Sequence, residues 1–560
     1  MGFEYTYAEN LKPGENQYDA LYDLDEDTIV DAIYIHSDNA PGNPYIEALP
    51  KPWSIKEIAQ NYNQPVHVPN MERLLEMDEY DREDNIDLAL DQFRVNLPFH
   101  AMLEKQFHRA LIRSYSKRRS LMDKRINVKL HVEDEELIVH NRLEVKHMSD
   151  PVGGFTLLGS GGCGKSTGVN MMLAHYPQTI VHQRETWQRT YQIVYLLVQC
   201  TANSNFSKLY ENIGEAIDRA LGNFNPIYKL EFRKGGLADK YDLLKQLVMR
   251  FSIGCIILDE IELMDIKSTK ESSLEAIMTL TNETGVAVCV IGTMDAYKQL
   301  FFKARTARRM GVSILASKYC FDEKKFCRII NMLTVFQWGE PIEYTEKLVH
   351  ALFVASHGVI SDLIEIYKII QKDQIKNLPG PDSSEKEKKE WKEWNKKPAP
   401  EVTPEYIAKK AESYYEILRQ ARDLENNPVQ DDNLRMISSE IARLNSAAET
   451  TEQAQMEKRY DEVMEDPAYK KYVMLRERVM LDIQALKLGY RETTIERAFG
   501  IVMKQQSMDM ETSKATALTI AYLNDAKTKR EEHNKTKKEN KSTVALQELQ
   551  RQLLENNRSD

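Results

Sequence analysis

From Phe155 onward, short runs that are apolar throughout, FTLLG, IVYLLVQC, CIILDE and VAVCVIGT, alternate with helix-period segments. Such runs predict strands buried on both faces. The helices between them predict crossovers, so a parallel α/β sheet is expected. Past about Val312 the pattern turns helical in KKFCRIINMLTVF, TEKLVHALFVA and ISDLIEIYKIIQK, which predicts a small helical lid. The first ninety or so residues read as an acidic, Pro-punctuated arm. The stretch after them has helical periodicity around a basic run, RSYSKRRSLMDKRINVK, and then an alternating segment, INVKLHVEDEELIV, that predicts a hairpin or paired strands.

NLPGPDSSEKEKKEWKEWNKKPAPEVTP lacks apolar periodicity and predicts a linker. The remainder is helical with a basic tail, in which Leu546, Leu549 and Leu553 share roughly one face, fit either for a partner or for packing on its own domain. The expected division is therefore 1–145, an acidic arm and mixed region with the basic run; 146–318, the α/β nucleotide-binding core; 319–378, the lid; 379–404, the linker; and 405–560, a helical C-terminal region.

A chain of 560 residues exceeds the size of one hydrophobic core, and 42% hydrophobic with 29% charged residues fits a folded protein rich in helix. With no run of about 18 apolar residues and an acidic N-terminus, a cytosolic protein without a membrane partner is expected. The six cysteines lack metal-ligand spacing and read as buried free thiols in a reducing compartment. A net charge of -11 excludes coating DNA by overall charge, so any nucleic-acid contact must be local.

The chemistry is concentrated in LLGSGGCGKST. Gly159, Ser160, Gly161, Gly162, Cys163, Gly164, Lys165 and Ser166 satisfy the G-x-x-x-x-G-K-[ST] pattern, after an apolar strand and before a helix that begins through Thr167. Glycines let backbone N–H groups converge on an oxyanion, and the following helix N-terminus favours negative charge. Lys165 reaches the β- and γ-phosphates, and Ser166 ligates Mg²⁺. In GCIILDEIELM, a buried strand ends at Asp259, suited to the Mg²⁺ shell, and Glu260 follows where a carboxylate orients the attacking water. ATP and Mg²⁺ are the expected cofactors. Thr293, ending the next strand, is a candidate sensor of the γ-phosphate. Its alternative is a polar strand end. Arg305, Arg308 and Arg309 in FFKARTARRMGV are candidates to reach a neighbour's ATP, against a solvated basic helix end.

Several stretches together resemble the TnsC-type AAA+ regulators of Tn seven-like DNA transposons: NPYIEALP, the loop with HYPQTIVH, LVQCTANSNFSKLYENIGEAIDRALG, ILDEIELM, VIGTMDAYKQLF and ARRMG, with TTIERAFG in the helical C-terminal part. The resemblance implies an AAA+ core with a helical lid, an N-terminal extension and an all-helical C-terminal region. It also implies an ATP-dependent switch that assembles as a ring or filament on double-stranded target DNA, is recruited by a target-selection protein, engages transposase subunits and is reset by hydrolysis. Carried over by motif, Lys165, Ser166, Asp259 and Glu260 bind and hydrolyse ATP, and Arg308 or Arg309 acts across the subunit interface. Two positions depart from the pattern. AAA+ proteins often have Asn at the first sensor, where this chain has Thr293, and Arg in the lid helix, where SHGVISDL offers Ser361.

DNA contact is expected from Lys117, Arg118, Arg119, Lys124 and Arg125, or from Arg233, Lys234 and Lys240, with solvated faces as the alternative. An initiator or helicase-loader ATPase and a DNA-independent NTPase scaffold stay open as other functions.

Overall fold

The computed structural model describes residues 6–127, 153–183, 189–264, 280–293, 312–381, 399–424, 452–504 and 510–556, apart from short gaps within them. The hairpin expected after residue 126, and Arg305, Arg308 and Arg309, lie outside the described residues. The strands are β1 (Ile29–Asp31), β2 (Phe155–Leu158), β3 (Thr179–Gln183), β4 (Arg189–Ile193), β5 (Tyr195–Gln199), β6 (Cys255–Asp259), β7 (Ala287–Gly292) and β8 (Val312–Leu315). The first helices are α1 (Pro44–Glu47), α2 (Ile55–Asn61), α3 (Met71–Glu76), α4 (Glu79–Asp91), α5 (His100–Asn127), α6 (Lys165–Leu173), α7 (Phe206–Ala220), α8 (Ile227–Glu231) and α9 (Leu237–Arg250). The others are α10 (Glu323–Leu333), α11 (Glu346–Ala355), α12 (Ile360–Ile375), α13 (Pro404–Leu424), α14 (Glu452–Glu465), α15 (Pro467–Ala485), α16 (Glu492–Met503) and α17 (Thr512–Asn556).

The chain forms two compact units that do not follow its linear order: one of 52–173 with 193–465, the other of 1–51, 174–192 and 466–560. The larger unit contains a five-stranded parallel sheet in the order β5-β6-β7-β2-β8. Strands β2, β6 and β7 are buried along their whole length, as their uninterrupted apolar sequences require. Strand β7 separates β2 from β6, so the phosphate loop and the Asp259 carboxylate emerge from the same sheet edge on either side of it. Helix α5 crosses this sheet, and Tyr115 donates to Ser252 O at 3.1 Å. A β-carbon on Gly254 would lie 2.5 Å from the Tyr115 hydroxyl and 2.6 Å from Val194 O, so this approach requires glycine.

The α/β core with a helical lid agrees with the sequence. Beside the lid helices α10, α11 and α12, Trp338 is buried, its backbone N–H donating to Gln371 Oε1 of α12 at 3.0 Å and its indole N–H to Asn85 Oδ1 at 2.8 Å. The edge strand β8 is shorter than any run singled out in the sequence, and its outer edge is covered at Leu315. Gln453 at the start of α14 accepts from Leu315 N–H at 3.3 Å and donates to Leu315 O at 3.2 Å, as a neighbouring strand would.

The acidic N-terminal region is more ordered than its composition suggests. Residues 55–91 carry α2, α3 and α4, each started by a side-chain cap at Ser54, Asn70 or Asp78. In α4, Arg82, Ile86 and Leu90 are buried at helical spacing amid carboxylates that mask the pattern.

In the smaller unit, β1, β3 and β4 form a sheet in that order. Helices α15, α16 and α17 pack around Tyr472, Val479, Ile483, Phe499 and Ala515. Residues 16–24 join this unit through buried Tyr18 and Tyr22, and Arg497 holds the buried Asp19 at 3.2 Å. Among the described residues no single helix is long and apolar enough to cross a membrane. Five cysteines are buried and Cys327 is partly so. All six are free.

Candidate active site

The loop 159–164 leaves β2 and turns directly into α6. Gly162 (φ 72°) and Gly164 (φ 83°) adopt left-handed backbone, which the turn requires. The loop is packed from outside. Tyr319 donates to Cys163 O at 2.8 Å, and a β-carbon on Gly164 would come within 2.9 Å of Leu97 Cδ1. Lys165 Nζ donates to Gly159 O at 3.0 Å and to Ser160 O at 2.8 Å, so its ammonium already lies over the loop. Gly161 has open space beside it, and the first N–H groups of α6, through Thr167, lack intrahelical acceptors, which suits them to an anion.

Ser166 Oγ donates to Asp259 Oδ2 at 2.9 Å, joining the loop to the end of β6. A hydroxyl and a carboxylate at this spacing are hard oxygen donors that suit Mg²⁺. Burial pushes the Asp259 carboxyl up, and the Ser166 bond pulls it back. A divalent cation there would favour the ionised form.

Glu260 has φ 55° and ψ 43°, left-handed backbone that costs a non-glycine residue about 1 kcal/mol or more. Its carboxylate accepts from Gln199 Nε2 at 3.0 Å. Gln199 ends β5 in register with Asp259, so pairing of the two strands sets the distance. Thr293 N–H donates to Glu262 Oε2 at 3.2 Å, so the end of β7 is tied to the segment after Asp259. From the lid, Ser361 N–H at the start of α12 donates to Gly162 O at 3.3 Å, and a β-carbon on Gly162 would lie 2.1 Å from Ser361 Oγ. Lys165, Ser166, Asp259, Glu260 and Thr293 are thus brought to one sheet edge, with Gln199, Glu262 and Ser361 added to them. A polar residue closing an apolar run was the sequence signal for Gln199, but its partner depended on register.

The nucleic-acid candidates separate. Lys240 is corrected. It is buried, with Nζ donating to Ser207 Oγ at 2.5 Å, because it shares the inner face of α9 with Leu244 and Leu247. Arg233 is half-exposed and 3.4 Å from Glu211, and Lys234 is exposed. Lys117, Arg118, Arg119, Lys124 and Arg125 fall on α5, and their side chains lie outside the described ones.

His100 packs beneath the loop helix. Its Nδ1 accepts from Leu97 N–H at 3.0 Å, and its Nε2 faces Gly168. Burial lowers its pKa to about 3. The folded protein therefore holds it neutral. This contribution to stability is complete above about pH 6.5 and is lost as the pH falls towards 3. Loss of about 2 kcal/mol between pH 7 and 5 is expected from this group. Denaturant melts of the protein and of His100→Gln check it, and the variant should show the weaker pH dependence.

Residues 152–300 match the family model of the AAA domain. Among solved structures, the chain is similar to Cdc6p from Pyrobaculum aerophilum, with 14% identity over 68% of this chain and 80% of that one and a TM-score of 0.30. It is also similar to the Hsp104–ADP complex of S. cerevisiae, with 14% identity over 67% of this chain and a TM-score of 0.21, spanning only 44% of that chain. No curated protein matches it.

Proposed function

We propose that this chain, with its AAA domain at 152–300, is an ATP-gated regulator of DNA transposition. It assembles on double-stranded target DNA, links a target-selection protein to transposase subunits, and is reset by hydrolysis. The observation that carries the switch reading is the carboxylate of Glu260, held by Gln199 at 3.0 Å on a strained left-handed residue. A base held in this way until it is released suits a switch. Support for transposition comes from the resemblance of NPYIEALP, HYPQTIVH, AIDRALG and ILDEIELM to the TnsC-type regulators.

In this reading the loop N–H groups and Lys165 bind the β- and γ-phosphates of ATP. Ser166 and Asp259 would hold Mg²⁺, which when bound would supply positive charge beside the phosphate oxygens. Glu260, once released by Gln199, accepts the proton of the attacking water. Ser361, bonded to the loop through Gly162, moves with it, so the lid senses whether the phosphates are present. Thr293 acts through Glu262 on the same segment. Arg308 or Arg309 of a neighbouring copy completes the charge stabilisation. The basic run on α5, with Lys117, Arg118 and Arg119, meets phosphates independently of sequence.

Gln199→Ala should raise DNA-independent hydrolysis about tenfold, since breaking one exposed hydrogen bond to a charged group, worth about 1.5 kcal/mol, frees Glu260. Steady-state phosphate release checks it, and unchanged basal turnover would remove the restraint from the reading. The whole reading is tested by electron microscopy of the protein on a plain duplex with a slowly hydrolysed ATP analogue or with ADP. Assemblies on DNA with the analogue alone are expected. Identical DNA binding in both states would sink the nucleotide gate.

A further inference from the structure

A rigid apolar stripe stands out on the larger unit. Phe224 is 99% exposed, and Ile227, Leu230 and Leu237 are each about half exposed. Isolated apolar residues at a surface are ordinary, but exposed apolar residues gathered on one short, fixed segment with a bare aromatic mark an interaction site. The stripe is also built. Gly222 takes φ 68° to turn the chain out of α7, and Asn223 N–H returns to Asp218 O at 2.9 Å. The buried Asp218 carboxylate then accepts from Asn223 Nδ2 and from the N–H groups of Ile227, Tyr228 and Lys229, at 2.9–3.1 Å. The loop carrying Phe224 is therefore fixed before any partner arrives, which lowers the entropy lost on binding. The end of the stripe is basic, with Arg233 half-exposed and Lys234 exposed.

The same unit presents a face of opposite character. On α4, Tyr80 is 81% and Leu88 64% exposed, and Asp84 lies between them at helical spacing with Asp81 alongside, both exposed. The other side of α4 is engaged. Asp87 pairs with Lys372 and Asp91 with Lys368, and Arg82 donates to Leu378 O and Pro379 O. The outer side thus offers one aromatic, one aliphatic and two carboxylates with no basic partner among the described residues.

We propose that the Phe224 stripe of one copy docks on the Tyr80–Leu88 face of α4 in a second copy, with Lys234 and Arg233 meeting Asp81 and Asp84. Apolar groups at the centre and opposite charges at the rim match the anatomy of specific interfaces. The two faces are different, so the contact is head-to-tail and propagates from copy to copy into a ring or a filament. This inference rests on the self-assembly in the proposed function and names the surface that carries it.

Charge reversal tests it, with sedimentation velocity of the full chain plus a slowly hydrolysed ATP analogue. One variant combines Arg233→Glu with Lys234→Glu, and the other combines Asp81→Lys with Asp84→Lys. Each alone should stay monomeric while still binding nucleotide, which shows that it is folded. Mixed together, they should reassemble, because each reversed face then meets its complement on the other variant. Phe224→Ala should weaken assembly about thirtyfold, as expected of a central aromatic anchor. Wild-type assembly that both reversals leave intact overturns the docking and spares self-assembly. A wild type that stays monomeric, with duplex present as well, overturns both. A Phe224→Ala variant that loses duplex binding with its assembly unchanged makes DNA the occupant of the stripe and overturns the docking.

Discussion

Glu260→Gln should bind ATP with little change in affinity and hydrolyse it about 10²–10⁴-fold more slowly, the range that a positioned general base supplies. The amide keeps the size of the side chain and an oxygen that Gln199 Nε2 can still reach, so the ground-state geometry survives. What is lost is the capacity to take a proton. A structural role for Glu260 predicts something else. Its left-handed backbone is strained, so if the residue served folding, replacement would change the melting temperature rather than the rate. Glu260→Gly separates the two further. It removes both carboxylate and strain, and should leave a protein at least as stable that does not hydrolyse ATP. Single-turnover hydrolysis beside fluorescent-nucleotide binding reads both quantities. In the proposed switch the Gln variant stays assembled on DNA, because the step that resets it has stopped. Turnover close to wild type would remove Glu260 from the chemistry.

The local parts of this site were legible in the sequence, and the parts made by distant chain segments were not. A phosphate loop is a contiguous pattern whose strand and helix flank it, so Gly159 to Ser166 could be read directly, and Asp259 followed from the apolar run before it. Gln199 reaches Glu260 only because β5 pairs with β6 in one register, and Ser361 reaches Gly162 only because the lid folds back. Neither relation leaves a trace in spacing. Lys240 is different. Its spacing to Leu244 and Leu247 marks an inner helix face, and on such a face periodicity decides burial over charge. The smaller unit was hidden most completely. It gathers 1–51, 174–192 and 466–560, and is held by pairs such as Arg497 with Asp19 and Asn16 with His175 O. No composition boundary follows such a path.

Lys165→Ala should weaken ATP binding by about 10²-fold or more and abolish hydrolysis at accessible concentrations. Its ammonium, fixed by Gly159 O and Ser160 O, has little side-chain entropy left to lose when phosphates replace those carbonyls. Two charge-assisted hydrogen bonds at about 1.5–3 kcal/mol each set the size of the loss. The loop itself should persist, because its shape comes from Gly162, Gly164 and the Tyr319 bond to Cys163 O, none of which involves Lys165. Calorimetric titration with ATP and Mg²⁺, against a thermal melt without nucleotide, distinguishes a lost ligand contact from a collapsed loop. The contrast with Glu260→Gln then decides the order of events in the switch. If binding drives assembly and hydrolysis ends it, the Lys165 variant never assembles and the Glu260 variant never lets go. If both variants fail to assemble, hydrolysis rather than binding is the step that builds the complex, and the proposed gate runs in the opposite direction.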